Sequence, residues 1–170
     1  ILGEDGEKMS KSRGNVVNPD EVVGEYGADA VRLFEMFLGP LEATKPWNVA
    51  GIVGVKRFLD RIWTLAEGDF DDAPLGDEMT RLLHQTIRKV THDLENLRFN
   101  TAIAALMVLM NGMVKEGVHA RAAWEPFVHL LAPFAPHIAE ELRERLGLEG
   151  MLWDRTWPAW DDALATEDEV

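Results

Sequence analysis

Residues 101–116, TAIAALMVLMNGMVKE, decide the fold of this chain. Their apolar side chains fall on almost every face of an α-helix, and a helix that is hydrophobic all round is buried inside a larger structure. Asn100 precedes the segment as a preferred N-cap residue, and Gly117 follows it as a helix-ending residue. The pattern therefore predicts a helix at the centre of a helix bundle.

Amphipathic helices are predicted on both sides of this central helix, as the outer members of a bundle should be. Asn48 and Asp77 are the expected N-caps of the two upstream helices, while Pro136 begins and Gly147 ends the last downstream helix. The predicted outer helices comprise residues 48–67, 77–96, 120–131 and 136–146. The fold class is thus mainly α, with a helix bundle from Asn48 onward.

Apolar residues at helical spacing define the faces that the two upstream helices are expected to bury. On the first helix this face is made of Ile52, Val55, Leu59, Ile62, Trp63 and Ala66. On the second it is made of Met79, Leu82, Leu83, Ile87, Val90, Leu94 and Leu97. Shorter elements flank the bundle: Asn18 caps a short helix, a second helix is expected at 28–38, residues 151–160 are expected to be extended, and residues 163–170 to be a polar, frayed end.

The composition restricts the possible functions. The 170 residues carry a net charge of −13 at pH 7, which argues against binding of nucleic acid through a bulk positive field. The sequence has no cysteine, so disulfides, thiol nucleophiles and cysteine-based zinc sites are excluded. No apolar run approaches the roughly 20 residues of a membrane helix, so no membrane partner is expected. The histidines lack the i, i+4 spacing of a helical zinc site, and no metal site is predicted.

Residues 7–15, EKMSKSRGN, form the candidate functional site. Lys8 and Lys11 place two flexible ammonium groups next to the hydroxyls of Ser10 and Ser12, and glycines on both sides allow the backbone to turn. Such donors suit phosphate oxygens. The alternative for this segment is a solvated charged turn. We interpret it as a mobile loop that closes on a polyphosphate.

Basic side chains on the polar helix faces are the candidates for contact with an RNA backbone. They are Arg57, Arg61, Arg81, Arg88, Lys89 and Arg98. The alternative is that these charges are simply solvated. The aromatic candidates either stack on bases or anchor the core, and they are Trp47, Trp153, Trp157 and Trp160.

Four stretches of the chain resemble one enzyme family. Residues 8–12, KMSKS, resemble letter for letter the signature of class I aminoacyl-tRNA synthetases. Residues 130–142, LLAPFAPHIAEEL, resemble a phrase that recurs in the helical anticodon-binding domains of the leucyl, valyl, isoleucyl and methionyl members. Residues 35–48, EMFLGPLEATKPWN, and 24–30, GEYGADA, resemble the bacterial-type leucyl-tRNA synthetases in particular.

The resemblance implies roles for the loop residues. Lys11 would contact the phosphates of ATP and stabilise the charge that develops on departing pyrophosphate, and Lys8 would be a second, more peripheral catalytic lysine. The implied ATP-binding residues are Lys8, Met9, Ser10, Lys11 and Ser12. Met9 is expected to act as a packing anchor. Mg²⁺ would accompany ATP, with no metal site in the chain itself.

The same resemblance implies part of a leucine–tRNA ligase, an enzyme that activates leucine with ATP and transfers it to tRNA(Leu). The implied partners are tRNA(Leu), leucine and ATP, and the implied setting is a cytoplasmic monomer. The implied domains are the C-terminal edge of the catalytic domain at 1–47, an anticodon-binding bundle at 48–150 and a linker at 151–170. Because the family's nucleotide-binding sheet would lie upstream, the 170 residues alone are expected to be inactive.

Two alternatives stay open at the level of sequence. The first is a valyl- or isoleucyl-tRNA synthetase, since the amino acid pocket that would decide the specificity is expected outside these residues. The second is a non-catalytic helical module that binds RNA or protein and keeps the loop as a relic.

Overall fold

The computed structural model describes residues 2–166, and within them the regular secondary structure is helical, with a few isolated bridges. The helices are α1 Pro19–Tyr26, α2 Ala28–Phe37, α3 Val49–Ala66, α4 Asp77–Glu95, α5 Phe99–Glu116, α6 Arg121–Leu131, α7 Pro136–Arg145 and α8 Asp162–Ala165. Short 3₁₀ turns occur at Lys11–Arg13 and Leu152–Asp154. The predicted mainly α bundle is confirmed. In this part of the chain, no helix combines the length and the apolar character needed to cross a membrane.

Helix α5 lies at the centre of the bundle, in contact with α2, α3, α4 and α6. Its inner residues are fully buried, and they are Ala102, Ile103, Leu106, Leu109, Met110 and Met113. One side of the helix nevertheless faces solvent, where Val108 is 55% and Val114 is 43% exposed. Hydrophobicity all round therefore predicted the central position correctly but did not predict this open side.

The N-caps expected at Asn18 and Asn48 are confirmed. The side-chain oxygen of Asn18 accepts a hydrogen bond from the Asp20 N–H at 3.1 Å. That of Asn48 accepts one from the Ala50 N–H at 2.9 Å. Both asparagines have extended backbones, so they direct the chain into α1 and α3 while satisfying one otherwise unpaired amide in each first turn.

The N-caps expected at Asp77 and Asn100 are wrong. Asp77 is the first helical residue of α4, and the extended Gly76 stands at the cap position without a side chain to contribute. Asn100 lies inside the first turn of α5, which begins at Phe99 because the turn from α4 is shorter than the sequence pattern suggested.

Leu97 corrects the face that α4 was predicted to bury, because it is 59% exposed and has a left-handed backbone with φ of 55°. Its N–H donates to the Leu94 carbonyl at 3.2 Å, and the Arg98 N–H donates to the Asp93 carbonyl at 2.7 Å. This pair of bonds is a Schellman motif with leucine where glycine is usual. The turn, rather than the apolar pattern, therefore determines where Leu97 points.

The hydrophobic core continues from α2 into the bundle. The Phe34 ring on α2 meets the buried Trp47 ring edge-on, with centroids 5.0 Å apart. Phe34 also approaches Gly51 on α3 so closely that a β-carbon at position 51 would lie 2.5 Å from the ring. Any larger residue there would force the Phe34 ring or one of the two helices to shift. The domain boundaries at residues 47 and 150 stay a prediction.

The chain after α7 packs back along α4. The indole N–H of Trp157 donates to the Thr91 hydroxyl at 2.9 Å, whereas Trp153 is 74% exposed. The 3₁₀ turn at Leu152–Asp154 interrupts the stretch expected to be extended. The predicted polar end at 163–170 overlaps α8, and residues 167–170 lie outside the described residues.

Candidate functional site

The signature loop, residues 7–15, forms a turn at the surface. Ser10 is extended, with φ −150° and ψ 146°, and Lys11–Arg13 form a single 3₁₀ turn. The Arg13 N–H donates to the Ser10 carbonyl at 3.1 Å, and the Gly14 N–H donates to the Lys11 carbonyl at 3.2 Å. Gly14 then takes φ of 67°, a conformation that favours glycine, so the chain can leave the turn without strain.

Asn15 connects the two ends of this loop. Its Oδ1 accepts a hydrogen bond from the Ser10 N–H at 2.9 Å. Its Nδ2 donates to both carboxylate oxygens of Asp5, at 3.3 and 3.1 Å, and to the Lys8 carbonyl at 3.4 Å. Gly3 leaves room for this contact, because a β-carbon there would lie 2.7 Å from Asp5 Oδ1. We call Asp5, Ser10 and Asn15 the loop network.

The Asp5 carboxylate is held in its charged form. The Glu7 N–H donates to Asp5 Oδ1 at 3.0 Å, and this hydrogen bond is the main reason that the pKa of Asp5 lies below its ordinary value of 3.8. The amide of Asn15 and the positive charge of Arg13 lower the pKa further. Asp5 therefore remains an acceptor for Asn15 throughout the physiological pH range.

The ammonium groups of Lys8 and Lys11 are exposed positive charges on the loop. Among residues 2–166 neither has an ion-pair or hydrogen-bond partner. Arg13 differs, because its Nη1 lies 2.7 Å from Glu7 Oε2 and its charge is compensated there. The loop thus presents two uncompensated lysines to an incoming anion, as their flexible stems allow.

The remaining loop side chains divide between solvent and core. The hydroxyl oxygens of Ser10 and Ser12 lie 3.2 Å apart and form a hydrogen bond with each other. Met9 is partly buried and packs against the hydrophobic core, which agrees with a packing role. The five residues of the KMSKS motif therefore form one continuous segment that leads into the turn, with Met9 packed inward.

The open side of α5 gathers four of the predicted RNA-contact residues. A groove of about 520 Å³ lies between α4 and α5. Its lining includes the exposed Val108 and three basic residues, Arg88, Lys89 and Arg98. From the opposite flank, Arg61 Nη1 on α3 donates to Asn111 Oδ1 at 2.9 Å. We call this surface the α5 face, and it consists of Arg61, Arg88, Lys89, Arg98, Val108 and Asn111.

Two of these charges are engaged with acids. Lys89 pairs with Asp93, which is only 2% exposed and also accepts the Thr101 hydroxyl at 2.7 Å. Arg88 Nη1 lies 3.4 Å from Asp162 Oδ1, with 39% of the Arg88 side chain and 78% of the Asp162 side chain exposed. Such exposed pairs are worth about 0–1 kcal/mol, so a phosphate could displace Asp162 from Arg88 at little cost.

The other two predicted contacts lie beside the α5 face. Arg57 is exposed one helical turn before Arg61 on α3, and Arg81 is half-buried one turn before the groove residue Gln85 on α4. Neither lines the groove. Within residues 2–166, histidine and carboxylate side chains form no group of three or more that could hold a metal ion.

Family models match most of the chain, with residues 45–76 between the two matches. Residues 77–170 match the model described as the anticodon-binding domain of tRNA ligase. Residues 1–44, which contain the signature loop, match the model of class I tRNA synthetases (I, L, M and V). The signature loop lies within the second match, and the α5 face lies within the first except for Arg61.

Curated relatives at about half identity are leucine–tRNA ligases. That of Chlorobium phaeobacteroides (strain BS1) is 52% identical over 176 residues, a match that covers 100% of this chain and 22% of the relative. That of Alkaliphilus oremlandii (strain OhILAs) is 49% identical over 170 residues, covering 100% and 21% respectively. The chain therefore spans about a fifth of the length of these relatives.

A solved structure has the same fold. It is the crystal structure of the ternary complex of Agrobacterium radiobacter K84 agnB2 LeuRS, tRNA and LeuAMS, with a TM-score of 0.85 and 33% sequence identity. The match covers 96% of this chain and 24% of that one.

Proposed function

The chain belongs to the anticodon-binding domain family of tRNA ligases, with a class I tRNA synthetase segment at its residues 1–44, and we propose that it is part of a leucine–tRNA ligase. The observation that carries this proposal is the exposed pair Lys8 and Lys11, whose ammonium groups have no partner among residues 2–166, in a chain about half identical to leucine–tRNA ligases. The relatives described above favour leucine over valine or isoleucine. The intact signature loop favours a ligase over a non-catalytic module.

The loop would act on MgATP as a substrate. In amino acid activation the leucine carboxylate attacks the α-phosphorus of ATP, the bond to the β,γ-diphosphate breaks, and pyrophosphate leaves with increased negative charge. A preorganised cation beside that leaving group lowers the barrier. Lys11 would supply it, Lys8 would add to the field, and Ser10 and Ser12 would donate hydrogen bonds to phosphate oxygens.

The bundle would bind tRNA(Leu) through its stem backbone. The α5 face places cations on both flanks of an open helix, which suits phosphates on two sides of an RNA groove. Arg57 and Arg81 would extend this surface along α3 and α4. Because the chain has a net charge of −13, such local clusters, rather than its overall field, would attract RNA.

These 170 residues would supply one side of the ATP site, since they span about a fifth of the relatives' length. We therefore propose that the chain alone does not form leucyl-adenylate. From the family resemblance, we also propose that the whole ligase works as a cytoplasmic monomer.

Amino-acid-dependent ATP–pyrophosphate exchange by the full-length protein, run with each of the twenty amino acids, tests the proposal. Leucine should support exchange, and isoleucine and valine should do so at least about tenfold less well, because one methyl group or its position is worth roughly 1–3 kcal/mol in an apolar pocket. Preferred exchange with valine or isoleucine would replace the leucine assignment. No exchange with any amino acid would favour the non-catalytic module.

A further inference from the structure

Asp29 on α2 caps a helix far along the chain. Its Oδ2 accepts the Ile138 N–H at 2.7 Å, and its Oδ1 accepts the His137 N–H at 3.3 Å and lies 2.8 Å from His137 Nδ1. These amides belong to the first turn of α7, whose own cap residue, Ala135, offers no side-chain acceptor. Asp29 itself is buried, at 8% exposed, whereas the His137 side chain at its outer edge is 74% exposed.

Arg32, one turn further along α2, forms hydrogen bonds with the corner between α6 and α7, on the side next to α6. Its Nη2 donates to the Pro133 carbonyl at 2.8 Å, and its Nε donates to the Phe134 carbonyl at 3.3 Å. Both carbonyls lie just beyond the C-terminus of α6, where helices leave acceptors unpaired. We call Asp29 and Arg32, with the corner residues 133–138, the α2 clamp.

The two charges of the clamp are favourable at this corner because Asp29 lies at the start of α7 and Arg32 lies at the end of α6. A carboxylate is favourable at the positive N-terminal end of α7, and a guanidinium is favourable near the negative C-terminal end of α6. Asp29 also pairs two amides of the first turn of α7, and Arg32 pairs two carbonyls after the end of α6. The position of α2 relative to α6 and α7 is therefore specified by charge as well as by apolar packing.

The opposite end of α2 is connected to the signature loop. Phe34 packs on Trp47, and the Trp47 N–H donates to the Leu2 carbonyl at 2.8 Å. Leu2 returns a bond from its own N–H to the Lys45 carbonyl, also at 2.8 Å. The next residue, Gly3, donates to the Glu7 carbonyl at 2.8 Å, at the start of the loop. Helix α2 thus contacts the bundle directly and is linked to the base of the loop through Trp47 and Leu2.

We propose that Asp29 and Arg32 are positioning residues that hold the signature loop at a set distance and angle from the tRNA-binding bundle. The inference rests on the proposed function above. Activation of leucine needs the loop but not tRNA, whereas transfer needs the tRNA on the bundle to be aligned with the ATP site. Loss of the clamp should therefore impair transfer and leave activation nearly unchanged.

The full-length ligase is tested as Asp29→Asn, Arg32→Lys and the control Glu35→Gln, which removes the same charge from an exposed site on α2. Pyrophosphate exchange without tRNA should stay within about twofold of wild type in all three, as expected for changes away from the chemistry. Single-turnover transfer of leucine to tRNA(Leu) should slow by about tenfold in Asp29→Asn and Arg32→Lys, within the usual range of coupling between sites. Glu35→Gln should transfer normally.

The alternative outcomes are distinct. If exchange and transfer fall in parallel, the clamp only maintains the fold and the proposal is wrong. It is equally wrong if both clamp variants transfer like Glu35→Gln. Thermal unfolding shows whether the Asp29→Asn variant is folded. If it is not, the Arg32→Lys variant, which keeps the positive charge, tests the proposal. If the wild-type protein shows no leucine-dependent exchange, the proposed function fails rather than the clamp.

Discussion

The side-chain oxygen of Asn15 accepts a hydrogen bond from the backbone N–H of Ser10 at 2.9 Å, across the full width of the signature loop. The same side chain donates to Asp5, whose pKa is lowered by the Glu7 amide and further by Asn15. The side-chain amide of Asn15 thereby holds both Ser10 and Asp5 and sets the shape of the turn. It leaves the ammonium groups of Lys8 and Lys11 outside the network, where a phosphate could reach them.

Replacing Asn15 with alanine should loosen the loop. The Ser10 amide would lose its acceptor, and its hydrogen exchange should accelerate by about fivefold, the factor that corresponds to roughly 1 kcal/mol for one hydrogen bond. Asn18→Ala is the matched control, because that side chain caps α1 and does not touch Ser10. Equal exchange at Ser10 in both variants would show that Asn15 does not order the turn.

Leu97→Gly should stabilise the protein. A side chain at φ of 55° costs about 1–2 kcal/mol, and the added freedom of glycine in the unfolded chain offsets about 0.5–1 kcal/mol of that gain. The free energy of unfolding in urea should therefore rise by roughly 0.5–1 kcal/mol. Leu97→Ala keeps the β-carbon and should give no such increase. A glycine variant no more stable than the alanine variant would argue against strain at this turn.

Asn48→Ala and Asn100→Ala should differ in stability. Asn48 caps α3 through the Ala50 amide, so its loss should lower the free energy of unfolding by about 1 kcal/mol. Asn100 lies within the first turn of α5 and caps nothing, so its replacement should cost less than about 0.5 kcal/mol. Equal losses measured by urea unfolding would contradict the helix starts described here.

Arg98→Gln should weaken tRNA binding in a salt-dependent manner. If Arg98 on the α5 face contacts one phosphate, the slope of log Kd against log salt should decrease by roughly one unit. Arg155→Gln is the matched control, since Arg155 lies in the C-terminal segment and does not line this groove. Filter binding of tRNA(Leu) to the full-length protein from low to high KCl gives both slopes. An unchanged slope for Arg98→Gln would remove Arg98 from the interface.

Local patterns predicted the helices well, because periodic apolar residues and asparagine caps act within a few residues of where they stand. Ile52, Val55 and Ile62 are buried as the periodicity of α3 required, although the buried Phe58 was missed between them. The predictions of a buried Leu97 and of an N-cap at Asn100 were wrong because the short turn between α4 and α5 determines the backbone geometry there. Both errors fall at a boundary between helices, where the periodic pattern no longer applies.

Long-range contacts were beyond sequence patterns. Asp29 and the α7 amides are more than one hundred positions apart, and nothing near Asp29 signals that a distant helix lacks a cap. For the loop, the motif itself identified Lys8 to Ser12, but the roles of Asp5 and Asn15 depend on a turn that only the three-dimensional arrangement reveals. An asparagine directly after a glycine was the available sequence signal for Asn15.

The most direct test of the central claim is leucine-dependent ATP–pyrophosphate exchange by the full-length protein and its Lys11→Ala variant. Removing a group that stabilises charge in the transition state should lower kcat by about 10²–10³-fold. Lys115→Ala, which removes an exposed lysine from the end of α5, should exchange within about twofold of wild type. A Lys11→Ala enzyme that exchanges as fast as Lys115→Ala would contradict the assignment of this loop to ATP activation.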